Sequence, residues 1–190
     1  MITGAGCSTA SGIDDYRDRQ GAWKRRPPVQ MQAFLEQPAT RRRYWARSMR
    51  GWPVMADARP NAAHRALAAL ERDGRVHGLI TQNVDRLHQR AGHRRVLELH
   101  GALAEVLCLD CGARVSRAAV QRRLEQDNAF VLRAPASAAP DGDADLAEDL
   151  DLADFQVPAC ERCGGILKPD VVFYGDSVPR GRVADATDLV

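Results

Sequence analysis

The sequence predicts an α/β fold: a doubly wound parallel sheet, incomplete in this chain, with an inserted metal-binding module and a helical segment. Three observations predict it. Residues 1–3 are apolar or β-branched and run straight into Gly4-Ala5-Gly6, the pattern of a strand entering a glycine turn. Strand-like apolar runs then alternate with segments of helical period, which favours parallel strands joined by crossover helices. Two Cys-x-x-Cys pairs, Cys108 with Cys111 and Cys160 with Cys163, bracket a stretch of different composition.

The elements follow in order. Residues 38–52 are rich in arginine and aromatics, and Trp45, Met49 and Trp52 recur at helical spacing, so a helical insertion is expected over about residues 24–58. Pro60-Asn61 opens an amphipathic helix, with Ala63, Ala66, Leu67 and Leu70 facing inward and Gly74 as its stop. Residues 76–81 read as a buried strand, 85–91 as a second helix and 95–99 as another strand. Residues 102–165 form the metal-binding module. Within it, residues 134–154 are rich in Ala, Pro and Asp, with seven acidic side chains from Asp141 to Asp154, and read as a solvated acidic loop. Residues 169–174 return to a strand, so 1–101 and 166–190 together make a Rossmann-like domain around the module.

Bulk properties narrow the function. Hydrophobic residues make up 45% of the 190, ordinary for a globular protein. A net charge of +2 is too small to argue for nucleic acid or an anionic membrane surface as partner. Of the 27 basic residues only Lys24 and Lys168 are lysine, a compositional habit rather than a binding patch. No apolar run approaches the roughly 20 residues that span a bilayer, and no basic segment followed by an apolar stretch opens the chain. A reducing, cytosol-like setting is expected, where paired cysteines favour metal over disulfides.

The second cysteine pair follows the first after 48 residues. Each pair sets two thiolates on a tight knuckle, and Gly112 and Gly164-Gly165 follow where the turn needs positive φ. Two knuckles complete a tetrahedral four-sulfur shell suited to zinc, with two redox dithiols as the alternative. All four positions being sulfur, Cys108, Cys111, Cys160 and Cys163 predict one structural zinc ion, not a catalytic one. Cys7 is the odd thiol, read as a small core residue beside the glycine turn.

Gly4-Ala5-Gly6 alone is a weak phosphate-binding signal, because Cys7-Ser8-Thr9 follows and the third glycine of the dinucleotide fingerprint is missing. Residues Ser11-Gly12-Ile13-Asp14-Asp15-Tyr16-Arg17 and Gly21-Ala22-Trp23 add small side chains, carboxylates, aromatics and an arginine. Such a loop can enclose a phosphorylated aromatic ligand. The residues by themselves say nucleotide-like and leave the class open.

The stretch from Gly4 to Trp23 resembles the first signature of the sirtuin family, which usually reads G-A-G-x-S-x-x-S-G-I-P-D-F/Y-R. Residues 81–92, Thr-Gln-Asn-Val-Asp-Arg-Leu-His-Gln-Arg-Ala-Gly, resemble its T-Q-N-x-D-x-L-H-x-x-A-G block, and Glu98-Leu99-His100-Gly101 resembles the catalytic block. The cysteine pairs and residues 164–176 complete the set. Asp14 stands where the family usually has proline, adding charge and flexibility to the loop. The resemblance covers essentially the whole chain and points to the class II mitochondrial-type and bacterial branch.

That resemblance implies an NAD-dependent protein-lysine deacylase, giving nicotinamide, free lysine and O-acyl-ADP-ribose. Ala5, Gly6 and Ser8 would line the NAD diphosphate and ribose, with Gly4, Gly12 and Trp23 in the same cofactor site. Asp15 and the backbone near Val84 and Asp85 would hold the nicotinamide carboxamide. Tyr16 would shield the ribose C1′, Arg17 would fix the loop, and Gln82 and Asn83 would bond the nicotinamide ribose and order a water. His100 takes the place of the general base, a role suited to imidazole. Val172 and Gly175 match the edge along which the acyl-lysine peptide adds as a strand. Tyr44 and Arg47, three apart on one helix face, resemble the Tyr-x-x-Arg pair with which certain class II members read acidic acyl groups. Neighbouring segments resemble a branch that reaches lipoyl groups. Arg47 as one more solvated arginine is the alternative.

Two other functions use the same residues: an NAD-dependent ADP-ribosyltransferase, and an inactive zinc-stabilised binding module. The expected place is the cytoplasm in a bacterium, or the mitochondrial matrix in a eukaryote. About four strands can be found, against the two mononucleotide halves of a doubly wound fold, and only residues 1–3 precede the glycine turn. The expectation is a chain clipped at both ends, which keeps the nicotinamide end of the NAD site, lacks the adenine end, and binds and turns over weakly.

Overall fold

Short apolar runs pair as parallel strands, β1 (Ile2–Thr3), β2 (Leu79–Thr81) and β3 (Val96–Glu98), in the order β1-β2-β3, with Ile80 facing Ile2 on one side and Leu97 on the other. The computed structural model describes residues 1–15, 20, 28–140 and 142–190, with the side chain of Ala138 left aside. Residues 76–78 stay outside the ladder. The N–H groups of Arg75 and Val76 both bond the Leu70 carbonyl, closing the preceding helix, so the chain enters the sheet only at Leu79.

Four helices belong to this half: α1 (Met31–Glu36), α2 (Pro38–Asp57), α3 (Ala62–Arg72) and α4 (Leu87–Arg90). Helix α2 buries Trp45 and Met49 fully and Trp52 partly, as their spacing predicts. It runs on through Pro53 to Asp57, close to the expected limit of the helical insertion. Proline offers no N–H to the carbonyl four residues back; here the Met49 carbonyl accepts instead from Gln121 Nε2 at 2.8 Å. Its neighbour, the Ser48 carbonyl, accepts from the buried guanidinium of Arg117 at 3.1 Å. That cation stacks over Trp45 and Trp52, 5.5 and 5.1 Å from the ring centres.

Helix α3 corrects the expected inward face. Ala63 and Ala66 are exposed, whereas His64 and Ala68 are buried. The cap decides this: the Asn61 side chain accepts from the N–H of Ala63 at 2.9 Å and of His64 at 3.4 Å, while His64 Nδ1 accepts the Asn61 N–H at 3.3 Å. Such a reciprocal box turns the third helical residue inward, and positions 64 and 68 then share the buried stripe. Helix α4 begins two residues later than expected, because Asp85 serves as acceptor for the Leu87 N–H at 2.8 Å.

A second, antiparallel sheet is made by β4 (Gly101–Cys108) and β5 (Arg114–Ser116), followed by α5 (Arg117–Asp127) and α6 (Ala129–Leu132). The acidic segment is a solvated loop only over residues 147–154, where Glu148, Asp149, Asp151 and Asp154 are exposed; its first part is not. That part forms a hairpin, β6 (Ala136–Ala139) with β7 (Asp143–Leu146), laid on α2 with Ala144 and Leu146 buried. Alternation explains it: Asp143-Ala144-Asp145-Leu146 sends acids to one face and apolar groups to the other. Arg43 and Arg47 of α2 then take the hairpin's carbonyls and carboxylates. Gly51 lets the backbones meet, since a Cβ there would lie 2.2 Å from the Asp143 carbonyl oxygen. Gly51→Ala should therefore cost about 1–3 kcal/mol through overpacking, and an unchanged urea midpoint would show that the hairpin does not seat there.

The strand expected at 169–174 is β8 (Leu167–Val171), which pairs antiparallel with β4 in the order β5-β4-β8 and not with the parallel sheet. Pro169 faces Val106 at the point where the register shifts, consistent with a residue that cannot donate to the ladder. The chain then reaches α7 (Arg180–Leu189), which packs beside β3. Among the described residues no helix is long and apolar enough to cross a membrane.

Candidate active site and zinc centre

Ser8 anchors the site. After β1 the chain makes two 3-10 turns, Ala5–Cys7 and Thr9–Ser11, and closes on Gly12 at φ +82°. Ser8 is thereby buried; its hydroxyl donates to Asp85 Oδ2 at 2.6 Å and accepts from Asn83 Nδ2 at 3.0 Å. One carboxylate thus starts α4 and holds the glycine turn. The Gln82 N–H donates to the Thr3 carbonyl at 3.0 Å. Both loops leave the carboxyl ends of adjacent parallel strands, where α/β sheets place ligands.

His100 lies at the junction of β3 and β4, on the same side. Its Nδ1 is 3.2 Å from the Gln82 carbonyl oxygen. A carbonyl only accepts, so Nδ1 carries the proton and Nε2 keeps a lone pair, the form a base requires. The His100 carbonyl accepts the Val172 N–H at 2.9 Å, drawing the end of β8 against the same histidine. A cleft of about 620 Å³ opens among these parts, lined by Ala5, Gly6, Asp15, Gln82, Asn83, Val84, His100, residues 172–176 and Val178.

The structure therefore gathers Ala5, Gly6, Asp15, Gln82, Asn83, Val84, His100, Val172 and Gly175 on one wall system. Ser8 and Asp85 lie behind it as support, and Gly4 and Gly12 bound the turn without lining the cleft. Tyr16, Arg17 and Trp23 fall outside the described residues. Tyr44 lines an adjoining cavity of about 90 Å³ that shares Val84, Phe173 and Tyr174 with the cleft. Arg47 lines neither. Its guanidinium donates to Asp143 at 2.6 and 3.1 Å and lies 3.8 Å from Asp145, so its charge is already met.

Phe173 was not among the predicted site residues, yet it lines both cavities. It packs against Phe34 and Tyr44 with ring centres 5.2 and 5.1 Å away, and Lys168 Nζ sits 4.6 Å from its own ring centre. The buried Lys168 has its ammonium pushed below the usual lysine range by desolvation. In sequence Phe173 belongs to an apolar Val-Val-Phe run that periodicity reads as core. Its only signal was its place between Val172 and Gly175.

The four cysteines converge. Cys108 Sγ lies 3.5 Å from Cys163 Sγ and Cys111 Sγ 3.7 Å from Cys160 Sγ, with all four sulfurs inside 4.8 Å of one another. Zinc–sulfur bonds of about 2.3 Å in a tetrahedron give sulfur edges of roughly 3.8 Å, so the donor set fits one zinc ion. Matching backbone turns build the knuckles: the Gly112 N–H bonds the Cys108 carbonyl at 3.0 Å and the Gly164 N–H the Cys160 carbonyl at 2.8 Å. The Cys111 N–H aimed at Cys108 holds that thiol below the usual range, while its neighbour Cys163 is pushed up, so within the pair Cys108 is the first to give the thiolate a metal needs.

Comparison with known proteins gives a consistent picture. The family model described as the Sir2 family matches residues 4–189. The chain is 61% identical over 188 residues to NAD-dependent protein deacetylase 2 of Bradyrhizobium diazoefficiens, covering 99% of this chain and 68% of that protein. It is 60% identical over 186 residues to the NAD-dependent protein deacetylase of Bordetella bronchiseptica, covering 98% and 68%. Among solved structures, a Sir2 complex with a p53 peptide and NAD+ superposes with a TM-score of 0.70 at 32% identity, over 99% of this chain and 64% of that one. A Sir2 bound to the inhibitor EX-527, 2′-O-acetyl-ADP-ribose and deacetylated p53 peptide matches with a TM-score of 0.70 at 31% identity, over 99% and 63%. The chain thus spans just under two thirds of the length of these solved structures.

Proposed function

This chain belongs to the Sir2 family, and on that premise we propose that it removes acetyl or other acyl groups from protein lysines, with NAD as cosubstrate. The carrying observation is His100, its Nδ1 directed at the Gln82 carbonyl, on the wall of a cleft shared with Ala5, Gly6, Asn83 and the 172–175 run. When bound, NAD supplies an electrophilic ribose carbon with nicotinamide as leaving group. The chain's own residues do the rest. Ala5 and Gly6 offer backbone donors to the diphosphate, with Gly4, Ser8 and Gly12 shaping the turn. Asp15 and the backbone at Val84 hold the carboxamide, with Asp85 behind them as support, and Gln82 and Asn83 hold the ribose. His100 Nε2 accepts a ribose hydroxyl proton, and Phe173 helps exclude water. Tyr16, Arg17 and Trp23 complete the cofactor loop in this reading. The peptide adds as a strand beside Val172 and Gly175. Residues 102–165 serve as the zinc module, and 1–101 with 166–190 as the cofactor domain, β8 stitching one to the other. Four thiolates call for a reducing place, and we assign the cytoplasm.

The acyl group follows from Tyr44 and its small apolar cavity, shared with Val29, Leu103 and Val171. Asp143 and Asp145 meet the one positive charge of Arg47, leaving the trio net negative. A third carboxylate there, from an acidic acyl group, is opposed by like charge, which costs several kcal/mol. Nicotinamide release should thus depend on acyl-peptide and run at least about tenfold faster with acetyl than with glutaryl, and the cavity of about 90 Å³ should likewise disfavour the long, uncharged lipoyl chain. Asp143→Asn should narrow the glutaryl gap. A glutaryl preference in the unaltered protein would overturn the acyl reading, and no acyl-dependent release with any peptide would overturn the function.

A further inference from the structure

Beneath the glycine turn, three metal-ligating side chains outside the zinc module converge. Cys7, His64 and His88 each place one ligand atom within 4.8 Å of the others. Cys7 Sγ lies 4.0 Å from His64 Nε2, and the two imidazole centres are 4.7 Å apart. A sulfur–nitrogen edge in a tetrahedral zinc shell is roughly 3.5 Å, so the Cys7–His64 edge must close by about half an ångström and the other edges, which lie within 4.8 Å, by up to roughly 1.5 Å. We propose that Cys7, His64 and His88 make a second metal site, for a thiophilic divalent ion of the zinc class, distinct from the four-cysteine centre.

The hydrogen bonds prepare it. The Thr3 hydroxyl donates to Thr81 Oγ1 at 3.0 Å, so its oxygen accepts from His88 Nε2 at 3.0 Å and the His88 proton sits there. His88 Nδ1 is then a bare lone pair, buried and without a hydrogen-bond partner among the described residues. A buried acceptor left unmade is costly, and a cation relieves it. His64 Nδ1 accepts the Asn61 N–H, so its Nε2 carries the ring proton and faces Cys7 and Ser8. On binding, the thiol proton of Cys7 leaves to solvent and the His64 proton moves from Nε2 to Nδ1, which costs the Asn61 N–H half of the reciprocal cap and sets two N–H groups face to face, a cost the metal–ligand bonds must exceed. Burial keeps both imidazoles in the neutral, ligating form, with His88 lowered to about 4. Asp85 supplies negative charge that favours a cation beside all three groups; with burial it also pushes the Cys7 thiol up, so the ion itself must displace that proton. Cys7 is only half-buried, which gives an ion its route, and three ligands leave a fourth position open. His93 stays out of the shell, its ring centre 6.3 Å from that of His88.

The test is calorimetric titration of Zn²⁺ into the protein already holding one zinc at the four-cysteine centre. A second equivalent should bind, with heat that depends on the buffer because one proton is released per ion. Cys7→Ala and Cys7→Ser, both small changes at a half-buried position, should weaken that step by about 10–100-fold or more, with circular dichroism checking that each is folded. Zn²⁺ should also protect Cys7 from a thiol reagent, mapped by peptide mass spectrometry. Saturation at a single equivalent, an unaltered second step in both variants, or undiminished Cys7 reactivity would each overturn the site.

Discussion

His100→Ala is expected to lower deacylation by about 10²–10⁴-fold, or about 3–5 kcal/mol of transition-state stabilisation, with NAD binding retained. The structure separates the two effects. Only the imidazole is removed; the backbone carbonyl that accepts the Val172 N–H stays, so the β8 end keeps its place. The cofactor walls at Ala5, Gly6 and Asn83 are held by Ser8 and Asp85 and owe nothing to the His100 ring. The loss should therefore fall on kcat, with little change in the affinity for NAD measured by calorimetry. Near-normal turnover by the variant would remove His100 from the reaction.

Loss of zinc should have the next largest effect. Structural zinc sites hold the metal with an apparent free energy of about 10–16 kcal/mol, which is also folding energy. Cys108→Ser breaks the shell at the end of β4, whose other end, Gly101, adjoins His100. Unravelling the module would also release β8, which pairs with β4 from Gly101 to Cys108 and ends beside the cleft. The variant should lose its tightly held zinc, lose circular-dichroism signal from the second sheet, and lose activity even though no cysteine of the shell lines the cleft. Stoichiometric zinc of unchanged affinity in Cys108→Ser would contradict the four-thiolate centre.

What could be read from sequence was what local backbone chemistry demands. The glycine turn after β1, the cap at Asn61 and the two knuckles each depend on a few consecutive residues, and each is found where those residues stand. The rest depended on partners far along the chain. The acidic hairpin looked solvated because its compensating cations, Arg43 and Arg47, are about a hundred positions away and cannot be paired with it by composition alone. The buried face of α3 was misjudged because His64, a polar residue, takes an inward position that hydrophobic periodicity assigns to alanine. The strand at Leu167–Val171 has the right residues for either sheet; only its pairing with β4 shows which one it joins. Phe173 followed the same rule, an aromatic that reads as core and is core on one side and cleft wall on the other.

The most direct test of the central claim is mass-spectrometric analysis of products from the protein incubated with NAD and an acetyl-lysine peptide. The account predicts nicotinamide, deacetylated peptide and O-acetyl-ADP-ribose in equal amounts, none of the last formed without peptide. Free acetate with NAD left intact, or ADP-ribose attached to the peptide in place of O-acetyl-ADP-ribose, would contradict it.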